Sequence, residues 1–187
     1  AKIFERWDPA RKIAVQYWPQ GEGGDLRMQN PYWIAYRNPR NTDKKRYMAN
    51  VSIAFDILPW LNVSGRAKID NTNSIFTQKL YASSNTTITE GSTQGHYTEI
   101  RNTDEQIYAD VMVNINKTFA DNKFSLVANV GASVNDTKSK ELSYRGPIRE
   151  VGIPNMFTVF DLDKEKSRPQ KYGWQEQTQS IFASVEM

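Results

Sequence analysis

Leu61-Asn62-Val63-Ser64-Gly65-Arg66-Ala67-Lys68-Ile69-Asp70 alternates without a break. Leu61, Val63, Gly65, Ala67 and Ile69 fall on one side, and Asn62, Ser64, Arg66, Lys68 and Asp70 on the other. Successive side chains of a strand point to opposite faces, so this run reads as a β-strand with one apolar face and one wet face. An Arg, a Lys and an Asp on the same side need water or ionic partners there. The pattern already holds upstream, where Tyr47, Ala49, Val51, Ile53, Phe55 and Ile57 oppose Met48, Asn50, Ser52, Ala54 and Asp56. Leu58-Pro59-Trp60 joins the two strands in a tight turn, a place where a proline that cannot donate to a ladder is tolerated.

The same unit recurs further along. Ile107, Ala109, Val111, Val113 and Ile115 oppose Tyr108, Asp110, Met112, Asn114 and Asn116. The short Ala120-Asp121-Asn122-Lys123 then leads into Phe124, Leu126, Ala128, Val130, Ala132 and Val134, set against Ser125, Val127, Asn129, Gly131, Ser133 and Asn135. The reading is a hairpin over 45–70, a second over 105–136, and the start of a further strand over 177–187 with Ile181, Ala183, Val185 and Met187 on one face. Between them 1–44, 71–104 and 137–176 show no lasting period and read as long loops, punctuated early by Trp7-Asp8-Pro9, Gly21-Glu22-Gly23-Gly24-Asp25, Asn30-Pro31 and Asn38-Pro39.

All the tight turns thus fall at one end of the strands and all the long loops at the other. Outer-membrane barrels have this asymmetry, with short periplasmic turns and long extracellular loops. The alternating runs are close to the 9–11 residues that cross a bilayer as a tilted strand. Phe55, Ile57, Trp60 and Phe119 cluster near the turns, where an interfacial girdle belongs. The expected fold is all-β, a segment of an antiparallel transmembrane β-barrel domain carrying extracellular loops at 1–44, 71–104 and 137–176. The competing architecture is a soluble β-sandwich with one wet face per sheet, as in a secreted carbohydrate-binding module. The lopsided loops favour the barrel. About five strands do not close one, because bacterial barrels begin at eight, so the segment is expected to belong to a larger chain, as the alternation still running at Met187 suggests. Ala1–Arg6 has no apolar h-region, so any export signal is expected upstream or already removed.

Composition agrees. Of 187 residues only 39% are hydrophobic and the mean hydropathy is −0.67, yet 12% are aromatic. A disordered chain would be poor in aromatics, whereas a thin apolar face diluted by polar loops gives this balance. The net charge of +3 is scattered, with no basic run beyond Lys44-Lys45-Arg46, and does not indicate a nucleic-acid patch. Without cysteine there is neither a disulfide framework nor a thiolate metal site. No apolar run approaches the roughly 20 residues of a membrane helix.

Distributed motifs add a resemblance. Tyr17-Trp18-Pro19, Asn30-Pro31-Tyr32-Trp33-Ile34-Ala35, and Arg46-Tyr47-Met48 leading to Phe55-Asp56-Ile57-Leu58-Pro59-Trp60-Leu61 resemble the SusC/RagA-type TonB-dependent transporters of Bacteroidetes. Lys79-Leu80-Tyr81-Ala82-Ser83, Tyr108-Ala109-Asp110-Val111, Asn114-Ile115-Asn116-Lys117 and Ser180-Ile181-Phe182-Ala183-Ser184 extend the resemblance over essentially the whole chain. It implies an internal stretch of a barrel of about 22 strands, a multi-pass protein of the outer membrane, embedded in its lipid. It implies a SusD-like surface lipoprotein and the TonB complex as partners, and import of oligosaccharides, or of peptides in some members. A siderophore-type TonB-dependent receptor, with the same barrel and no lipoprotein lid, is the nearest alternative. A plug and a TonB box are not found in this sequence.

Residue chemistry points away from an enzyme. His96 sits in Gly91-Ser92-Thr93-Gln94-Gly95-His96 with no nucleophile or orienting acid nearby, and reads as an ordinary loop histidine. Asp161-Leu162-Asp163 lacks the further carboxylates and glycine of a calcium loop and reads as a solvated turn. No cofactor and no metal site is expected. The first loop gathers Trp7, Tyr17, Trp18, Tyr32, Trp33 and Tyr36, rings that could stack on a sugar or meet the lipoprotein lid, or instead fix the loop's own fold. Arg66, Lys68, Asp70 and Asp110 are expected to face the lumen, lining the transport path or solvating a wide channel.

Overall fold

The computed structural model describes residues 3–17, 29–119 and 124–187. Trp18, the glycine-rich run at 21–25 and the turn at 120–123 lie outside the described residues. In order come β1 (Glu5–Asp8), β2 (Ile13–Gln16), α1 (Pro31–Arg37), β3 (Arg40–Leu58), β4 (Leu61–Tyr81), β5 (Gly95–Phe119), β6 (Phe124–Pro147), a 3-10 turn at Val159–Asp161 and β7 (Gln170–Glu186). β1 and β2 form a small antiparallel hairpin, and the long strands form one antiparallel five-stranded sheet in the order β3-β4-β5-β6-β7. No described helix is long and apolar enough to cross a membrane. The chain divides into two compact units. One holds Ala1–Lys44, Ser74–Arg101 and Glu141–Tyr172, and the other Lys45–Asn73, Asn102–Lys140 and Gly173–Met187.

The second unit contains the alternating part of every long strand, and its burial is inverted. Its buried residues among those described are Asp70, Asp110 and Gly131, while Val51, Ile53, Phe55, Ile57, Ile69, Ile107, Val111, Val130 and Ile181 are exposed. An apolar face of this extent left uncovered marks an interface with something apolar. Its edge is sharp. Directly after Ile69 and before Ile107 the same face turns polar: Asn73 Nδ2 donates to Asn71 Oδ1 at 2.7 Å, Thr103 Oγ1 to Asn73 Oδ1 at 2.9 Å, and Asn71 Nδ2 approaches Glu105 Oε2 at 3.5 Å. The apolar stretch of β4, Leu61 to Ile69, matches the length of tilted strand needed to cross the hydrocarbon layer, about 9–11 residues. Pro59 and Trp60 make the predicted tight turn, and the Trp60 carbonyl accepts from the Asn116 N–H at 2.9 Å.

The first unit is an ordinary small globule with a conventional core of Trp33, Leu80, Ala82, Tyr97, Ile148 and Leu162. α1 starts where Asn30 caps it, its Oδ1 accepting from the Tyr32 N–H at 3.0 Å, with Pro31 following at a position where a missing N–H costs nothing. It ends where the Asn38 N–H returns to the Ile34 carbonyl at 3.2 Å. Past Pro147 the chain doubles back on itself: Ile148 bridges Leu162, the Arg149 N–H reaches the Asp161 carbonyl at 3.0 Å, and the Asp163 N–H reaches the Pro147 carbonyl at 2.9 Å.

The strands run further than alternation predicts. β4 continues through 71–81, β5 begins at Gly95, β6 ends at Pro147 and β7 begins at Gln170, all within stretches read as loop. Alternation reports contrast between two faces. Where both faces are wet, as in Asn71-Thr72-Asn73-Ser74, the ladder persists but the contrast vanishes.

Candidate functional site

The wet face of the second unit is built from the residues expected there. Arg66 Nε lies 3.1 and 2.9 Å from the two carboxylate oxygens of Asp110. Asp70 receives a two-pronged contact from Arg46, Nε to Oδ1 at 2.8 Å and Nη2 to Oδ2 at 2.6 Å, with Lys68 Nζ at 3.8 Å. Paired guanidinium forks of this kind hold a carboxylate in a fixed direction. The polar ladder continues with Asn114 Nδ2 to Asn62 Oδ1 at 3.2 Å, Asn62 Nδ2 to Asp56 Oδ1 at 2.7 Å and Gln106 Nε2 to Asn135 Oδ1 at 2.8 Å. Arg66 and Asp110 thus form one ion pair, and Lys68 and Asp70 belong to a second cluster. Arg46 belongs to the second cluster. Its place in the same alternating set as Met48 and Asp56 is the signal that identifies it in the sequence.

The loop aromatics of the first unit divide. Trp33 is fully buried, its indole N–H donating to Ser84 Oγ at 2.9 Å, so it fixes the fold and cannot meet a ligand. Tyr36 is exposed and stacks on Phe4 with ring centroids 5.3 Å apart. Trp7 stands exposed on β1, Tyr32 is exposed on α1, and Tyr17 lies under the guanidinium of Arg6 at 5.7 Å. α1 is tied to β1 by Arg37, whose Nε and Nη2 reach Glu5 at 2.7 and 2.9 Å; this bond with Glu5 holds the guanidinium above its usual range.

None of those rings lines a cavity of about 950 Å³ in this unit. Arg40, Gln78, Glu90, His96, Thr98 and Arg145 supply its polar lining. Here the structure corrects the reading of His96. It is not an ordinary loop residue but a buried one near the start of β5, 5% exposed, with Nε2 3.4 Å from Glu90 Oε1 and Nδ1 unpartnered among the described residues. Burial pushes its pKa below the ordinary histidine value, Glu90 opposing and Arg145 adding to the shift. Asp161 is likewise no solvated turn residue: it is buried, receives Thr158 Oγ1 at 2.6 Å and pairs with Arg149 at 3.1 Å.

No family model and no curated protein matches this sequence. Solved structures do match in fold. One is described as the RagAB peptide transporter, with a TM-score of 0.70 and 16% identity over 91% of this chain. Another is the RagAB peptide importer in the "open-open" state, with a TM-score of 0.67 and 15% identity over 91% of this chain. The chain is all-β, with the antiparallel fold of a β-barrel fragment. It spans 18% of the length of each of those chains.

Proposed function

We propose that this chain is part of the wall and external loops of a SusC/RagA-type TonB-dependent importer in the outer membrane. In this reading 45–70, 105–136 and 177–187 cross the membrane within a barrel of about 22 strands, and 1–44, 71–104 and 137–176 lie outside the cell. The carrying observation is a barrel-wall fold shared over 91% of the chain, joined to a sheet whose acids are buried in ion pairs while its branched apolar residues are exposed. Arg66, Lys68, Asp70 and Asp110 then face a wide aqueous lumen.

The cargo in this proposal is an oligosaccharide or a short peptide, delivered through a SusD-like lipoprotein and drawn in with energy from TonB. The neighbours in fold are described as peptide transporters, which supports a polymeric nutrient over a siderophore. Trp7, Tyr32 and Tyr36, the exposed members of the loop aromatics, are the candidate rings for contact with cargo or lid. The test is purification of the full-length protein from outer membranes. Co-purification of a surface lipoprotein, and loss of growth on an oligosaccharide or peptide source when the gene is deleted, are expected. A full-length protein that is washed off membranes without detergent contradicts the proposal.

A further inference from the structure

A second cavity of the first unit, of about 320 Å³, is lined by Tyr144, Arg145, Lys164, Ser167 and Arg168 together with apolar side chains, and by no carboxylate. Among the described residues, Arg145, Lys164 and Arg168 form no ion pair with any acid. Of the neighbouring acids in sequence, Glu165 is exposed and does not line the cavity, and two others are engaged elsewhere. Asp161 holds Arg149 and Thr158, and Asp163 Oδ1 accepts the N–H groups of Glu165 at 2.9 Å and Lys166 at 3.4 Å. Like charges gathered round one hollow repel unless an anion enters it.

The hollow is also built rather than incidental. The Ser167 N–H closes a turn on the Asp163 carbonyl at 2.8 Å, and Asp163 is itself pinned to Pro147, so Lys164, Ser167 and Arg168 are carried on anchored backbone. Ser167 Oγ is buried and has no hydrogen-bond partner among the described residues. It packs directly over Gly146, where a Cβ would collide with it, so glycine at 146 is what admits the hydroxyl. A buried hydroxyl without a partner costs free energy unless something bonds it.

We propose that this cavity binds an oxyanion, a sulfate- or phosphate-type group, held by Arg145, Lys164 and Arg168 with Ser167 Oγ donating. Guanidinium forks and an ammonium are the donors that recognise such groups. The site stands apart from the transport proposal, since it requires only the fold of the first unit.

The test uses the full-length protein in phosphatidylcholine nanodiscs at constant ionic strength. Hydrogen exchange over 162–169 is followed as chloride is replaced by inorganic sulfate or phosphate, up to about 10 mM. Slowed exchange is expected, with affinity falling about tenfold for each of Lys164→Ala and Arg168→Ala, the loss of one charge-assisted hydrogen bond. Ser167→Ala should weaken binding less, and Lys140→Ala should leave it unchanged. Nanodiscs containing phosphatidylglycerol separate the sources of the anion. Slowed exchange there without added salt, abolished by Arg168→Ala, supports the same site filled by a lipid headgroup. No response to sulfate, phosphate or phosphatidylglycerol overturns the proposal. So does a response that survives both cation variants while exchange over 84–98 shows them folded.

Discussion

Asp110 keeps its side chain 2% exposed while Arg66, its partner at 2.9 Å, remains 60% exposed. The pair is asymmetric. Removing the arginine strands a buried carboxylate, whereas removing the aspartate leaves a guanidinium already in water. Arg66→Ala is therefore expected to destabilise the full-length protein, and Asp110→Ala to do so by less. Urea unfolding in lipid vesicles measures both, and the opposite ranking would contradict the burial described.

Gly131 faces Phe182 across neighbouring strands so closely that a Cβ at 131 would overlap the ring, with the Val111 carbonyl also at 3.0 Å. Gly131→Ala should cost about 1–3 kcal/mol, as overpacking does. Phe182→Ala in the same chain should recover part of that loss. A double-mutant cycle on the same unfolding assay reads the coupling, and strict additivity would show that the two do not meet.

Trp33 and Trp7 belong to the same aromatic loop but answer to different physics. Trp33 is fully buried and bonded to Ser84, so Trp33→Ala should loosen the first unit by about 3–5 kcal/mol. Trp7 is exposed, and Trp7→Ala should change stability by no more than about 0.5 kcal/mol. Limited proteolysis of residues 29–44 separates the two outcomes.

His96 makes the first unit sensitive to acid. Burial holds its folded pKa below the ordinary value of 6.5, so the unfolded chain takes up the proton first. Its contribution to stability is intact at higher pH and is lost as pH falls below about 6.5 toward the folded value. Hydrogen exchange over 84–98 should accelerate between pH 7 and pH 5, roughly, and His96→Gln should flatten that response. Equal acceleration in the variant would assign the effect to another group.

Much of this molecule is legible in its sequence, and the boundary of legibility has a physical origin. Between Leu61 and Asp70 one face is apolar and the other polar, so the pattern names the strand, its faces and the ionic residues. From Asn71 to Ser74 both faces are polar, and the strand leaves no periodic trace there although it continues to Tyr81. α1 has seven residues, too few for a helical period, and its Asn30-Pro31 start reads equally as a turn. His96 reads as an ordinary loop residue and Asp161 as a solvated one because their neighbours are polar, yet both are buried. Burial of that kind depends on contacts distant in sequence, such as Ser92 Oγ reaching the Ile148 carbonyl at 2.6 Å. Composition cannot report it.

The central claim is that the exposed apolar face of the second unit meets lipid between Leu61 and Ile69 and stops meeting it at Asn71. The chain has no cysteine, which suits a scan of single cysteines along residues 61–73 in the full-length protein, cleared of any other cysteine and reconstituted in bilayers. Each site carries a fluorophore, read against a lipid-borne and a water-soluble quencher. The account predicts lipid quenching at 61, 63, 65, 67 and 69, aqueous quenching at 62, 64, 66, 68 and 70, and aqueous quenching alone at 71 and 73. Uniform aqueous quenching along the whole segment would contradict it.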